Sequence, residues 1–323
     1  MKSLMLVSGI LGLSVFAHAQ KPHFPDQKWK ERETDHFYIR AFGTGYDPAS
    51  RYAEKVWDEC VEVMPGLVAD FEKNEFRTPD GNAAADAAPF RFSVYLTEDA
   101  ADFNRLVDID AARANWEEGR DVLTKKVGSY ADSAHRYTVF CKGNMEQSAG
   151  GKRDITPVFI HATGATLMQG RGRIKENKLW LRGGFGYYVE HMLTKRCRVA
   201  YVDFESHYKD KDADLTRAET LGPDKDWTGP IRRQCKKGDR STLEEVTSAT
   251  VQSLTPKECG YMFALVYFLV WDDDSKKNFQ KLMAESRDGA EITQDLLLET
   301  YGYDDAEAFE KKWYEWIEGR DFR

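Results

Sequence analysis

Between Asp154 and Arg196 the chain reads DITPVFIHATGATLMQGRGRIKENKLWLRGGFGYYVEHMLTKR, two apolar runs separated by a basic turn. Two helices are the local solution that suits this pattern. Thr156 fits an N-cap, Pro157 fits the first helical position, and Gly170 with Gly172 ends the first run after Met168, which predicts a helix over 157–169. RIKENK supplies the turn. Leu181, Phe185, Tyr188 and Met192 then share one stripe of a second helix over 179–193. Both helices hold small residues where larger ones are usual. Gly164, Gly183, Gly184 and Gly186 each cost about 1 kcal/mol relative to alanine inside a helix, so something offsets them. Either the two helices approach closely there, or they leave a pocket for a ligand.

The second run gives Trp180, Leu181, Arg182, Gly183, Gly184, Phe185, Gly186, Tyr187, Tyr188, Val189 and Glu190, and the first gives His161, Ala162, Thr163, Gly164 and Ala165. In this frame the chain resembles the gluzincin metallopeptidases, in particular their secreted peptidase MA-like branch, whose members carry xHExxHxx on one helix and WLxEGxAxYxE on the next. The resemblance spans roughly 34–317 and is strongest over 180–190. It implies a zinc held by two histidines and a glutamate, with a second glutamate as general base. The chain departs from that pattern at three points. Ala162 stands at the general base, Ala165 at the second histidine and Gly183 at the glutamate ligand, so His161 alone keeps a ligand position.

The chemistry makes those losses decisive. Histidines at i and i+4 share a helical face, and a carboxylate from the next helix completes three ligands, leaving a fourth position for water. The general base contributes about 10²–10⁴ in rate. One ligand out of three or four supplies about 3–5 kcal/mol, roughly millimolar affinity. No cofactor is therefore expected, with zinc lost. The resemblance then implies a catalytically inactive peptidase-like protein that binds or scaffolds a peptide or an envelope protein. The alternative is an active zinc-dependent hydrolase in which His161 recruits Glu190, His191 or His135. Glu190 and His191 lie two turns beyond Gly183, about 10 Å along the axis, and are expected to reach the old metal position poorly. His161, Tyr130, Trp180, Tyr187 and Glu190 are the expected cleft residues. Tyr130 enters because Val127-Gly128-Ser129-Tyr130 looks like the family's substrate-pairing edge strand. For His161 and Tyr187, ordinary core packing is the competing reading.

Ahead of this pair, MKSLMLVSGILGLSVFAHA has Lys2, an apolar stretch from Leu4 to Phe16 and Ala17-His18-Ala19 before Gln20. That is the pattern of a secretory signal with an A-x-A cleavage site over 1–19, and it places the mature chain in the periplasm or outside the cell. The apolar stretch is short for a membrane span, and no later stretch reaches about 18 apolar residues. The formal charge of −8 and the lack of a basic stripe exclude nucleic acid as an expected partner. Cys60, Cys141, Cys197, Cys235 and Cys259 show no C-x-x-C spacing. A Cys197–Cys235 bridge and inert buried thiols are both open readings.

In chain order the patterns predict an α/β (α+β) fold with a small mixed sheet, the gluzincin-like helix pair at the centre and a helical C-terminal subdomain. Strands are expected at 36–41 and 91–96, a hairpin at 127–141, and helices over 47–64 and through Phe103 and Leu106. The expected domains are an N-terminal α/β subdomain over 20–153, the helix pair over 154–196, an irregular insertion over 197–245 and a helical subdomain over 246–323. Asp272-Asp273-Asp274 lacks the spacing of a calcium loop, Gly43-Thr44-Gly45 lacks a third glycine, and no G-x-S-x-G occurs.

Overall fold

Phe37, Ile39 and Ala41 alternate along FYIRA, and all three are fully buried, as a strand with one face on a core requires. The computed structural model describes residues 30–41, 46–68, 92–114, 129–132, 137–141, 156–169, 178–197, 226–250 and 254–323. The signal-like segment, Gly43 to Gly45, Val127 and Gly128 and most of the 197–245 stretch lie outside them. The chain forms two compact units, one of residues 1–54 and 66–156, the other of residues 55–65 and 157–323.

The first unit is built on a five-stranded mixed sheet in the order β1-β2-β3-β5-β4. Its strands are β1 (Lys30–Glu33), β2 (Phe37–Ala41), β3 (Phe92–Thr97), β4 (Ser129–Asp132) and β5 (Tyr137–Cys141). β2, β3 and β5 run parallel, and β1 and β4 close the two edges antiparallel. The parallel register sets Phe37, Ile39 and Ala41 beside Phe92, Val94 and Leu96, so the apolar rows coincide. Helix α1 (Tyr46–Val63) follows β2, and α2 (Ala100–Ala114) follows β3. α2 lays Phe103, Leu106 and Val107 onto Tyr95, Val139 and Cys141. β1 was not expected. Its four residues, KERE, are all exposed and charged, which hides the strand from hydrophobic patterning and protects the sheet edge from pairing. Glu31 on that edge holds Arg40, whose Nε donates to Oε1 at 2.9 Å while the guanidinium lies over the Tyr38 ring.

The second unit is helical: α3 (Thr156–Gln169), α4 (Leu179–Thr194), α5 (Thr228–Lys236), α6 (Leu243–Ser248), α7 (Pro256–Leu269), α8 (Asp273–Asp288), α9 (Gln294–Tyr301) and α10 (Ala306–Glu318). α4 is its axis. Every residue from Leu179 to His191 is buried except Arg182, so the single stripe expected of α4 is instead burial all round. α4 packs most extensively on α7, whose run from Cys259 to Leu269 is likewise buried apart from Tyr267. Gly184 permits this approach, because a Cβ there would stand 2.5 Å from the Met262 carbonyl oxygen. α7 opens with a capping box in which Thr255 and Glu258 exchange bonds, with Pro256 in the first turn. Within the stretch expected to be an irregular insertion, over 197–245, residues 228–236 form α5 and residues 243–245 begin α6. TGPIRRQCK holds too few apolar residues and an internal Gly-Pro, so its pattern is weak, yet Ile231 and Cys235 are fully buried. All five cysteines are free and buried, so no Cys197–Cys235 bridge exists.

Candidate functional site

His161 sits in the second turn of α3, 1% exposed, and its ring is enclosed by the middle of α4. Gly186 faces it most closely: a Cβ there would lie 2.8 Å from Nε2. Tyr187 meets the ring edge-on with centroids 4.5 Å apart. The Glu190 carboxylate, itself fully buried, brings Oε2 to 3.6 Å from Nδ1. That separation exceeds a hydrogen bond. Burial first, and the Arg182 charge second, push His161 down to about 3, so the imidazole is neutral at pH 7 and the contact with Glu190 is not an ion pair.

Glu190 was expected to reach the old metal position poorly, and the geometry brings its carboxylate to His161 itself. The axial distance from Gly183 to Glu190 was sound, but His161 faces Gly186 and Glu190, not Gly183. Among the described residues, a Cβ at Gly183 would meet only the Leu179 side chain, at 3.9 Å, and His161 is not among those neighbours. Farther along α3, Gly164 faces Val189, whose Cβ would stand 3.2 Å from an added methyl. Of the open readings of the glycines, close approach of the two helices holds at Gly164 and Gly186, whereas Gly184 admits α7 instead. Among the described residues, Gly183 has space beside it.

A gluzincin zinc requires three protein donors that converge with room for water. Ala165 is 2% exposed and carries no donor, Ala162 is half-buried and lends its carbonyl to the Thr166 hydroxyl at 2.7 Å, and Gly183 carries nothing. Among the described residues, Glu190 brings a carboxylate to His161. Among the described residues no group of three or more His, Cys, Asp or Glu side chains could hold a metal ion. These residues do not fit the zinc. His191 turns to a different neighbourhood, between Phe263 and Tyr267, and His135 lies outside the described residues.

No family profile, curated protein or solved structure matches the chain.

Of the other expected site residues, Trp180 and Tyr187 are interior. Trp180 is 2% exposed, and Tyr187 is fully buried with its ring 4.8 Å from Trp227. Tyr130 occupies β4 opposite Val139, and its side chain lies outside the described residues. Two neighbours escaped sequence reasoning. Trp227 and Cys197 both pack on Tyr187, the thiol donating to the Tyr187 carbonyl at 3.6 Å. Burial raises that thiol well above its ordinary range, and the negative charges of Glu190 and Asp226 add to the effect, so it is not a nucleophile. Nothing in the local sequence of either residue announces this meeting. A neutral imidazole, a thiol and a phenol enclosed in this way fill a core and have no access to a substrate in solvent.

Proposed function

We propose that this is an exported, gluzincin-like protein that carries out no zinc chemistry and serves as a binding or scaffolding module for a peptide or an envelope protein. The observation that carries the reading is the enclosure of His161, the one retained ligand position, by the bare backbone of Gly186. A ligand histidine needs an approachable nitrogen with space for a metal and a water, and this one has an α4 backbone against Nε2. The motif frame over Trp180 to Glu190 supports the kinship, and the pattern of 1–19 supports export. Among the described residues no helix is long and apolar enough to cross a membrane.

Metal analysis of the full chain purified without chelator, together with a peptide-library digest with and without EDTA, tests the reading. Substoichiometric zinc and no EDTA-sensitive cleavage are expected. One zinc per chain with EDTA-sensitive cleavage would replace the reading with a remodelled zinc hydrolase. The triple variant Ala162→Glu, Ala165→His and Gly183→Glu adds a second arm: because Ala165 is enclosed and His161 is covered, it is expected to lose stability without gaining zinc affinity.

A further inference from the structure

Trp271 departs from the other tryptophans of the described residues. It is 41% exposed, whereas Trp57, Trp180, Trp227, Trp313 and Trp316 are each at most 7% exposed. It follows α7, and its ring rests 6.4 Å from Trp316, which in turn packs on Phe268 at 5.5 Å. From Phe268 the ring contacts continue through Phe309 to Tyr303, at 5.5 and 5.1 Å, so the exposed indole stands on a packed aromatic base. Two acidic loops meet beside it. Tyr301, at the end of α9, donates its hydroxyl to the Leu269 carbonyl at 2.8 Å and lies 3.4 Å from the Ser275 carbonyl, which fastens Tyr303-Asp304-Asp305 beside Trp271-Asp272-Asp273-Asp274. Asp272 and Asp305 serve as N-caps of α8 and α10, Asp274 pairs with Lys277 at 2.8 Å, and Lys276 pairs with Glu62. Asp273, Asp304 and Glu307 are exposed, and among the described residues no ion pair takes them up.

We infer that this surface docks a lysine- or arginine-rich segment of a protein partner, one cationic side chain lying over Trp271 and the carboxylates of the two loops around it. The inference deepens the binding role proposed above and rests on it. Charge complementarity selects the partner. A cation over an indole face is attracted by the ring's quadrupole, and the neighbouring carboxylates add a field of the same sense. These carboxylates do not converge as ligands, since among the described residues no group of three or more could hold a metal ion. A spread of negative charge suits an extended polycation better than a single ion, and it repels an anionic bilayer.

The test is the fluorescence anisotropy of fluorescein-labelled hexaarginine titrated with the full chain at low salt. Trp271→Ala, which leaves the charge unchanged, is expected to weaken binding roughly two- to fivefold, the range of an exposed cation–π contact. The triple variant Asp273→Asn, Asp304→Asn and Glu307→Gln is expected to weaken it as well and to flatten its dependence on salt. All four side chains are exposed, so both variants are expected to keep the fold. Failure of the wild type to bind hexaarginine, equal binding by the wild type and both variants through net charge alone, or tighter binding to phosphatidylglycerol vesicles than to hexaarginine would each overturn the inference. The test involves no metal. One zinc per chain with EDTA-sensitive cleavage would remove the proposed function and leave this result standing, so the two failures are distinguishable.

Discussion

At Gly186 the difference between hydrogen and a methyl group decides whether the His161 ring fits. Gly186→Ala would force the imidazole or the helix aside, and Gly184→Ala would drive a methyl into the backbone carbonyl of Met262. We expect each to destabilise the chain by about 1–3 kcal/mol in urea titrations. Gly183→Ala has the space for its methyl and is expected to be neutral or stabilising by up to about 1 kcal/mol. Equal losses at all three positions would contradict the packing. His161 has a separate signature. Its folded value near 3 lies below the ordinary 6.5, so below pH 6.5 the unfolded chain binds a proton that the folded chain refuses. Stability therefore falls as pH drops from about 6.5 towards 3. Between pH 6.5 and 4.5 the wild type should lose about 2 kcal/mol more than His161→Leu, compared by denaturation at both values.

At the scale of elements, the helices of the second unit rest on caps that can be tested one at a time. Thr255→Ala removes the side-chain half of the capping box at α7 and leaves the residue-255 N–H on Glu258, and about 1 kcal/mol of stability should go with it; a smaller loss is expected for Thr293→Ala at the short, more exposed α9. A cap of this kind also explains part of what was legible in the sequence: Thr156-Pro157 marked a helix that forms, and Phe37, Ile39 and Ala41 marked the strand that pairs with β3. β1 was illegible because a charged edge strand carries no apolar period, and α5 because Gly229 and Pro230 interrupt a run with little else to signal it. The facing of α3 and α4 was illegible for a different reason. Each helix is apolar all round, so its own period does not say which side meets the other, and the pairing of His161 with Gly186 and Glu190 emerges only from tertiary packing.

At the scale of the molecule, residues 55–65 belong to the second unit although 91 residues separate them from Pro157. Glu59 accepts the Tyr188 hydroxyl at 3.1 Å, and Glu62 pairs with Lys276. Burial raises Glu59 above its ordinary value, more than the Tyr188 hydrogen bond lowers it, so Glu59→Gln should keep the contact and leave stability at pH 7 unchanged or improved. A fragment beginning at Pro157 forfeits the contact altogether and is expected to unfold at lower urea than the full chain. The same unit carries the central claim, that His161, the one ligand position kept in the proposed gluzincin-like frame, is a neutral, covered core residue. The 15N signals of the His161 ring during addition of equimolar zinc at pH 7 test it most directly. They are expected to stay where they are, as a neutral imidazole behind Gly186; a shift that saturates at one zinc per chain would contradict the account.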